Sequence, residues 1–243
     1  MPRAEPVLRP RGVLWAAALW VGYLALVTLG VVLLFAAYTV ARGRAPRIDE
    51  IPFGVLLGID FAGKAAAVGG ILLALRLRRD HAPLVRPAAV RPAAVAGLLT
   101  ALAFLPVSLG TGMLQTWLYG LLEVEFRTQD IVMKALQGSA GQFAAVAAFG
   151  VLVAPVFEEI VFRGFLHAGL RTRLGPAAAA FVAAAAFSGS HFERDAFPAL
   201  LLMGLFLSDL RERTGGLTAP IAMHACYNAY SMAGVWLARG AGG

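Results

Sequence analysis

The stretch that decides the fold reads FAAVAAFGVLVAPVFEEIVFRGFLHAGL, Phe143–Leu170. It is long enough to cross about 30 Å of hydrocarbon at about 1.5 Å per residue. Yet it carries Glu158, Glu159 and Arg163 in its second half. A charge near the bilayer centre costs from about 2.5 to more than 10 kcal/mol, so charged groups in such a place are paired or functional. Glu159 and Arg163 stand at i, i+4 and share a helical face. Glu158 is turned about 100° from Glu159 and has no partner on its own helix. The spacing therefore predicts a structural ion pair for Glu159 and Arg163, and leaves Glu158 to face another element.

The rest of the chain has the same character. Of 243 residues, 59% are hydrophobic and only 14% are charged, which excludes a soluble domain, a disordered chain and a coiled coil. The single cysteine, Cys226, excludes an intrachain disulfide and a cysteine-pair metal site. Further apolar runs cover about Val13 to Ala41, Ile51 to Leu75, Ala93 to Leu122, Pro176 to His191, Phe197 to Leu210 and Leu217 to Ala238. The first is too long for a cleavable signal peptide and reads as an anchor. In the second, Asp60 and Lys64 stand at i, i+4 and read as a self-neutralised pair. Pro106, Gly110 and Gly112 are expected kink points in the third, and Gly189 an expected site of close helix contact. Glu123 to Gln142 reads as a short amphipathic segment at the interface. The fold class is thus all-α: a polytopic membrane bundle of about seven or eight transmembrane helices. It divides into an anchor with its interfacial segment, residues 1–142, and a working core, residues 143–240.

Polar residues concentrate in that core. His191 ends the fifth run, with Phe187 four residues earlier, and His224 and Asn228 are again i, i+4 on the last. Two histidines, an asparagine and an unpaired glutamate on three segments can converge inside a bundle. A glutamate in low dielectric is a competent general base for water, and a histidine beside it can share the proton and later protonate a leaving amine. A second histidine and an amide supply donors for a developing oxyanion, worth about 3 to 4 kcal/mol each. That chemistry is peptide hydrolysis. The same side chains, His191, His224 and Glu158, could instead ligate Zn²⁺ with water in the open position. Ser188 and Ser190 flank His191 in sequence without the through-space geometry of a nucleophile and its base. Cys226 points away from His224, and His81 and His167 read as peripheral.

These residues resemble the CPBP family of intramembrane proteases, which includes CAAX prenyl endopeptidases of the Rce1 type and bacterial Abi proteins. Its three motifs occur in order: Glu158, Glu159 and Arg163 as E-E-x-x-x-R, Phe187 and His191 as F-x-x-x-H, His224 and Asn228 as H-x-x-x-N. The resemblance implies water activation by Glu158 and His191 and oxyanion support from His224 and Asn228, with Glu159, Arg163 and Phe187 supporting. It also implies a membrane-associated peptide or protein as substrate. No cofactor is favoured, and zinc stays open. A non-catalytic scaffold or immunity protein, or a transporter, are the alternative readings. A transporter should show repeated halves with broken helices, and no repeat is visible. Only Lys64 and Lys134 are lysines, and alanine is abundant, which points to a GC-rich bacterial genome; for a bacterial multi-pass helical protein the expected location is the cytoplasmic (inner) membrane.

The formal charge of +7 is a matter of topology rather than of nucleic-acid binding. With the N-terminus inside, inner segments hold Arg3, Arg9 and Arg11, then Arg76, Arg78, Arg79, Arg86 and Arg91, then Arg171, Arg173, Arg211 and Arg213, twelve basic residues in all. Outer segments hold seven: Arg42, Arg44, Arg47, Arg127, Lys134, Arg194 and Arg239. The bias predicts a cytoplasmic N-terminus. Reporter fusions after Arg91 and after Arg47 check it; the first should report the cytoplasm and the second the opposite side, and a reversed pair of signals would overturn the orientation.

Overall fold

The computed structural model describes residues 12–44, 51, 53–78, 90–125 and 138–241. Arg3, Arg9, Arg11, Arg47, Arg79, Arg86, Arg127, Lys134, His81 and most of the expected interfacial segment lie outside the described residues. Those described form helices and their connections, with no strand among them. In chain order these are α1 Gly12–Arg42, α2 Phe53–Arg78, α3 Val90–Leu121, the compound helix α4 Ala140–Leu170, α5 Pro176–Gly189, α6 Phe197–Thr214 and α7 Thr218–Ala241. The windows Leu24–Arg42, Val90–Leu121 and Ala140–Leu170 are long and apolar enough to cross a membrane. The chain is a helical, multi-pass membrane protein.

Local chemistry explains the ends. Ser139 caps α4: its Oγ accepts from the Gln142 N–H at 3.2 Å, and Gln142 Oε1 accepts from the Ser139 N–H at 2.7 Å. That reciprocal pair satisfies two amides a helix start leaves without partners. Pro176 sits in the first turn of α5, where its missing N–H costs nothing. Phe192, at φ 54°, turns the chain shortly after α5 ends, and Gly215, at φ 69°, ends α6 in the left-handed conformation that glycine adopts without strain. α6 thereby runs one turn past the expected Leu210. α3 is a single helix through Pro106.

Two departures from regular helix matter for the site. Within α4, Phe149–Val153 and Ile160–His167 are π-helical, and between them Ala154–Glu159 is α-helical. α5 has 14 residues, a rise of about 21 Å, short of the hydrocarbon thickness. The turn that holds His191 follows α5 directly and joins it to α6.

α3 packs along α7, α5 along α6, and α1 against α2 and the C-terminal end of α4. Phe104, Phe162, Phe187, Met203, Leu207 and Met223 are buried together at the centre. Leu29, Val32 and Leu33 of α1 and Leu98, Leu99, Leu102 and Trp117 of α3 are exposed, the apolar exterior that lipid requires. The close contacts differ from expectation. Gly189 faces open space. The tight approaches are Gly97, where an added Cβ would overlap the Ala219 carbonyl oxygen and lie 2.9 Å from Ala222 Cβ, and Gly204, where it would lie 2.8 Å from Ala184 Cβ. In a membrane, backbones that approach this closely gain packing that long side chains would prevent.

Gly97→Ala should therefore destabilise the α3–α7 contact by about 1–3 kcal/mol, the usual cost of overpacking. Gly110→Ala, whose Cβ meets nothing within 4 Å, should not. Thermal melts in detergent check the pair; a Gly97→Ala protein that melts with the parent would show that the helices separate at no cost.

Candidate active site

The two glutamates part company at one helical step. Glu159 and Arg163 are fully buried, with Arg163 Nη1 donating to Glu159 Oε1 at 3.0 Å. The expected i, i+4 pair is in place, and more is built on it. His224 Nδ1 lies 2.8 Å from the same Oε1, Arg163 Nη2 donates to the Gly204 carbonyl at 3.1 Å, and the guanidinium lies over the Phe187 ring, 4.5 Å from its centroid. α4, α5, α6 and α7 meet at these groups. Glycine at 204 leaves room for the guanidinium: its added Cβ would also come within 3.3 Å of Arg163 Nη2.

Phe187 is the hub of the aromatic packing. Its ring makes edge contacts with Phe162 at 5.3 Å, His191 at 4.9 Å and His224 at 5.6 Å between centroids. Its carbonyl lies 2.8 Å from His191 Nδ1. A carbonyl can only accept, so His191 Nδ1 carries the proton and Nε2 of the neutral ring keeps its lone pair. The same reasoning applies to His224, whose Nδ1 faces a carboxylate. The ring of His224 then spans both acids, with Nε2 3.7 Å from Glu158 Oε2.

Glu158 has a neighbour that its own helix could not supply. Lys64 of α2 lies 3.5 Å from Glu158 Oε1 and binds both Asp60 carboxylate oxygens at 2.6 Å. The Asp60–Lys64 pair is present as the spacing predicts, and it also reaches across to the core. Glu158 and His191 line two cavities, one of about 250 Å³ with Asp60, Lys64 and Ser190, and one of about 290 Å³ with His224, Tyr227 and Asn228. The pair stands where the two meet.

Asn228 is held by a defect in α4. In the first π-helical segment the Ala154 N–H turns to the Phe149 carbonyl. In that register the donor for the Gly150 carbonyl would be residue 155, a proline without an N–H. Asn228 Nδ2 takes that carbonyl at 2.7 Å. One amide N–H of Asn228 is thus structural, which the sequence pattern does not reveal, and the other is available to the larger cavity.

The remaining candidates are not placed as reacting groups, although Ser190 lines the smaller cavity. Ser188 Oγ donates to the Phe197 carbonyl and Ser190 Oγ to the Phe187 carbonyl, each at 2.7 Å. His167 is buried away from both cavities, 3.6 Å from Glu212 Oε1. Tyr227, which sequence reasoning passed over, lines the larger cavity with its hydroxyl 2.7 Å from Ser108 Oγ; no motif spacing marks it. A catalytic zinc requires about three protein ligands within 2.0 to 2.2 Å. Among the described residues no group of three or more His, Cys, Asp or Glu side chains is gathered to hold a metal ion. His191, His224 and Glu158 form no such set, and the Lys64 ammonium beside Glu158 would repel a dication.

The chain matches no curated protein and no solved structure. Residues 140–230 match the family model described as Rce1-like, type II CAAX prenyl endopeptidase Rce1-like. That stretch is less than half of the 243-residue chain, and it holds Glu158, Glu159, Arg163, Phe187, His191, His224 and Asn228. Over that stretch the chain is similar to the Rce1-like family.

Proposed function

We propose that the protein is an intramembrane endopeptidase of the bacterial cytoplasmic membrane, a bundle of about seven or eight transmembrane helices that cleaves a membrane-associated peptide or protein without a metal. The observation that supports this best is the junction of Glu158 and His191 between two cavities, with His224 and Asn228 on the wall of the larger one. A peptide in that cavity would place its carbonyl between the acid and the amide.

The reaction needs only groups already present. Glu158 Oε2, assisted by His191 Nε2, takes a proton from water as the oxygen attacks the peptide carbonyl carbon. The carbonyl becomes an oxyanion, which the free N–H of Asn228 stabilises, joined by His224 Nε2 once that nitrogen carries a proton. Collapse breaks the C–N bond, and the proton passes from Glu158 or His191 to the leaving nitrogen, giving a carboxylic acid and an amine. Glu159, already accepting from Arg163 and His224, orients the imidazole and takes no proton from water. The substrate need not be prenylated; leader peptides, bacteriocin-related peptides, signalling proteins and sorting tails share membrane delivery.

Comparison of newly formed protein termini in membranes from parent and Glu158→Gln cells tests the activity and identifies the substrate. Glu158→Gln should abolish turnover in a folded protein, since it keeps size and removes the base. Glu159→Gln should lower activity and stability together, by about 3–5 kcal/mol, because Arg163 is left as a buried unpaired charge. Identical termini in parent and Glu158→Gln membranes would favour a scaffold.

Purified enzyme treated exhaustively with a strong chelator should keep its activity and contain no stoichiometric zinc by elemental analysis. Activity lost on chelation and restored by zinc would establish the metal reading instead.

A further inference from the structure

Lys64 lies on α2, outside the matched residues 140–230. The protein is otherwise an arginine user: of its 21 basic residues only two, Lys64 and Lys134, are lysines. Arginine offers a rigid planar fork suited to one carboxylate, whereas lysine is a compact point charge with three donors on a flexible stem. At this position the ammonium serves two acids from two helices. It is buried at 8% exposure, holds both Asp60 oxygens at 2.6 Å and stands 3.5 Å from Glu158 Oε1. The other oxygen of Glu158, Oε2, is the one that faces His224 Nε2, at 3.7 Å. The two oxygens of one carboxylate are therefore distinguished by neighbours on different helices.

We propose that Lys64, anchored by Asp60, is a positioning residue for the reaction: it fixes Glu158 through Oε1 and so presents Oε2 to the water and to His224. The inference rests on the endopeptidase reading above. It makes α2 part of the active machinery, and it gives the pair Asp60–Lys64 a purpose beyond mutual neutralisation. A carboxylate free to rotate would share its lone pairs between the two cavities, and misplacement of a base by about 1 Å costs on the order of a hundredfold in rate.

Removing the cation alone leaves Asp60, half-buried against the core, without its countercharge, so Lys64→Met risks perturbing the fold. The double variant Asp60→Asn/Lys64→Met removes the pair together and keeps the volume. With the peptide identified by the terminus comparison, the double variant should melt within a few degrees of the parent and keep its KM, while kcat falls by about ten- to a hundredfold. Lys64→Arg should restore part of the rate. A purely structural role predicts parental kcat in the folded double variant, and that result would overturn the proposal. A second readout needs no substrate. Dicyclohexylcarbodiimide modifies protonated carboxyls in apolar surroundings, and peptide mapping locates the adduct. Glu158 should be modified several-fold faster in the double variant than in the parent, because no ammonium then favours its ionised form; equal rates would mean that Lys64 does not act on Glu158. If Glu158→Gln retains full activity, the endopeptidase mechanism fails first; if Glu158→Gln is inactive and the double variant is fully active, only the role of Lys64 fails.

Discussion

A fully buried ion pair between Glu159 and Arg163 is the constraint on which the core depends. Two charges removed from water are tolerated only when hydrogen bonds surround them. In a membrane no solvent can supply those bonds. Each contact the pair makes beyond its own helix recruits another helix: the Gly204 carbonyl from α6, the Phe187 ring from α5 and the His224 Nδ1 from α7, while Glu159 Oε2 and Arg163 Nε have no hydrogen-bond partner. The pair thus acts as a fixed point around which four helices must assemble in one arrangement. The requirement for glycine at 204 is the steric face of the same demand.

Once that point is fixed, the catalytic candidates follow as its dependants. His224 is aimed by Glu159, and His191 hangs from the carbonyl of the residue whose ring lies under Arg163. Each imidazole has Nδ1 committed to an acceptor and leaves Nε2 for the cavity. Such outer partners set the tautomer and the ring orientation together. The arrangement separates a buried layer, whose groups hold the helices together, from a layer that has one face left for a ligand.

How much of this was legible in the sequence depends on the range of each interaction. The Glu159–Arg163 and Asp60–Lys64 pairs are local, and i, i+4 spacing discloses them. Helix existence and most boundaries follow from apolar runs, because lipid demands continuous hydrophobic length. The approach of Lys64 to Glu158 is not local, and no period in the sequence encodes which helix lies opposite Glu158. The bond from Asn228 to Gly150 is hidden for another reason: it answers a carbonyl stranded by Pro155 only after α4 widens, and a proline alone does not announce a π-helical segment. Gly189 misled because glycine permits close packing without requiring it. Gly97 and Gly204 are identical in sequence terms, and only the opposite backbone tells them apart.

The division of work between Glu158 and Glu159 shows why adjacent acids are not interchangeable. A step of about 100° around the helix points Glu159 to the arginine, the imidazole and zero exposure, and points Glu158 to two cavities with 13% of its side chain exposed. Glu159 Oε1 already accepts two hydrogen bonds, so protonating that carboxylate would weaken contacts to α4 and α7 at once. Under the proposed mechanism the base gains and loses a proton in every turnover, a demand that conflicts with fixing the fold. Glu158 meets the opposite requirement: its neighbours Lys64 and His224 stand at 3.5 and 3.7 Å, close enough to orient it and longer than the direct hydrogen bonds around Glu159. Of these two adjacent carboxylates, the one held more loosely is the one that lines the cavities.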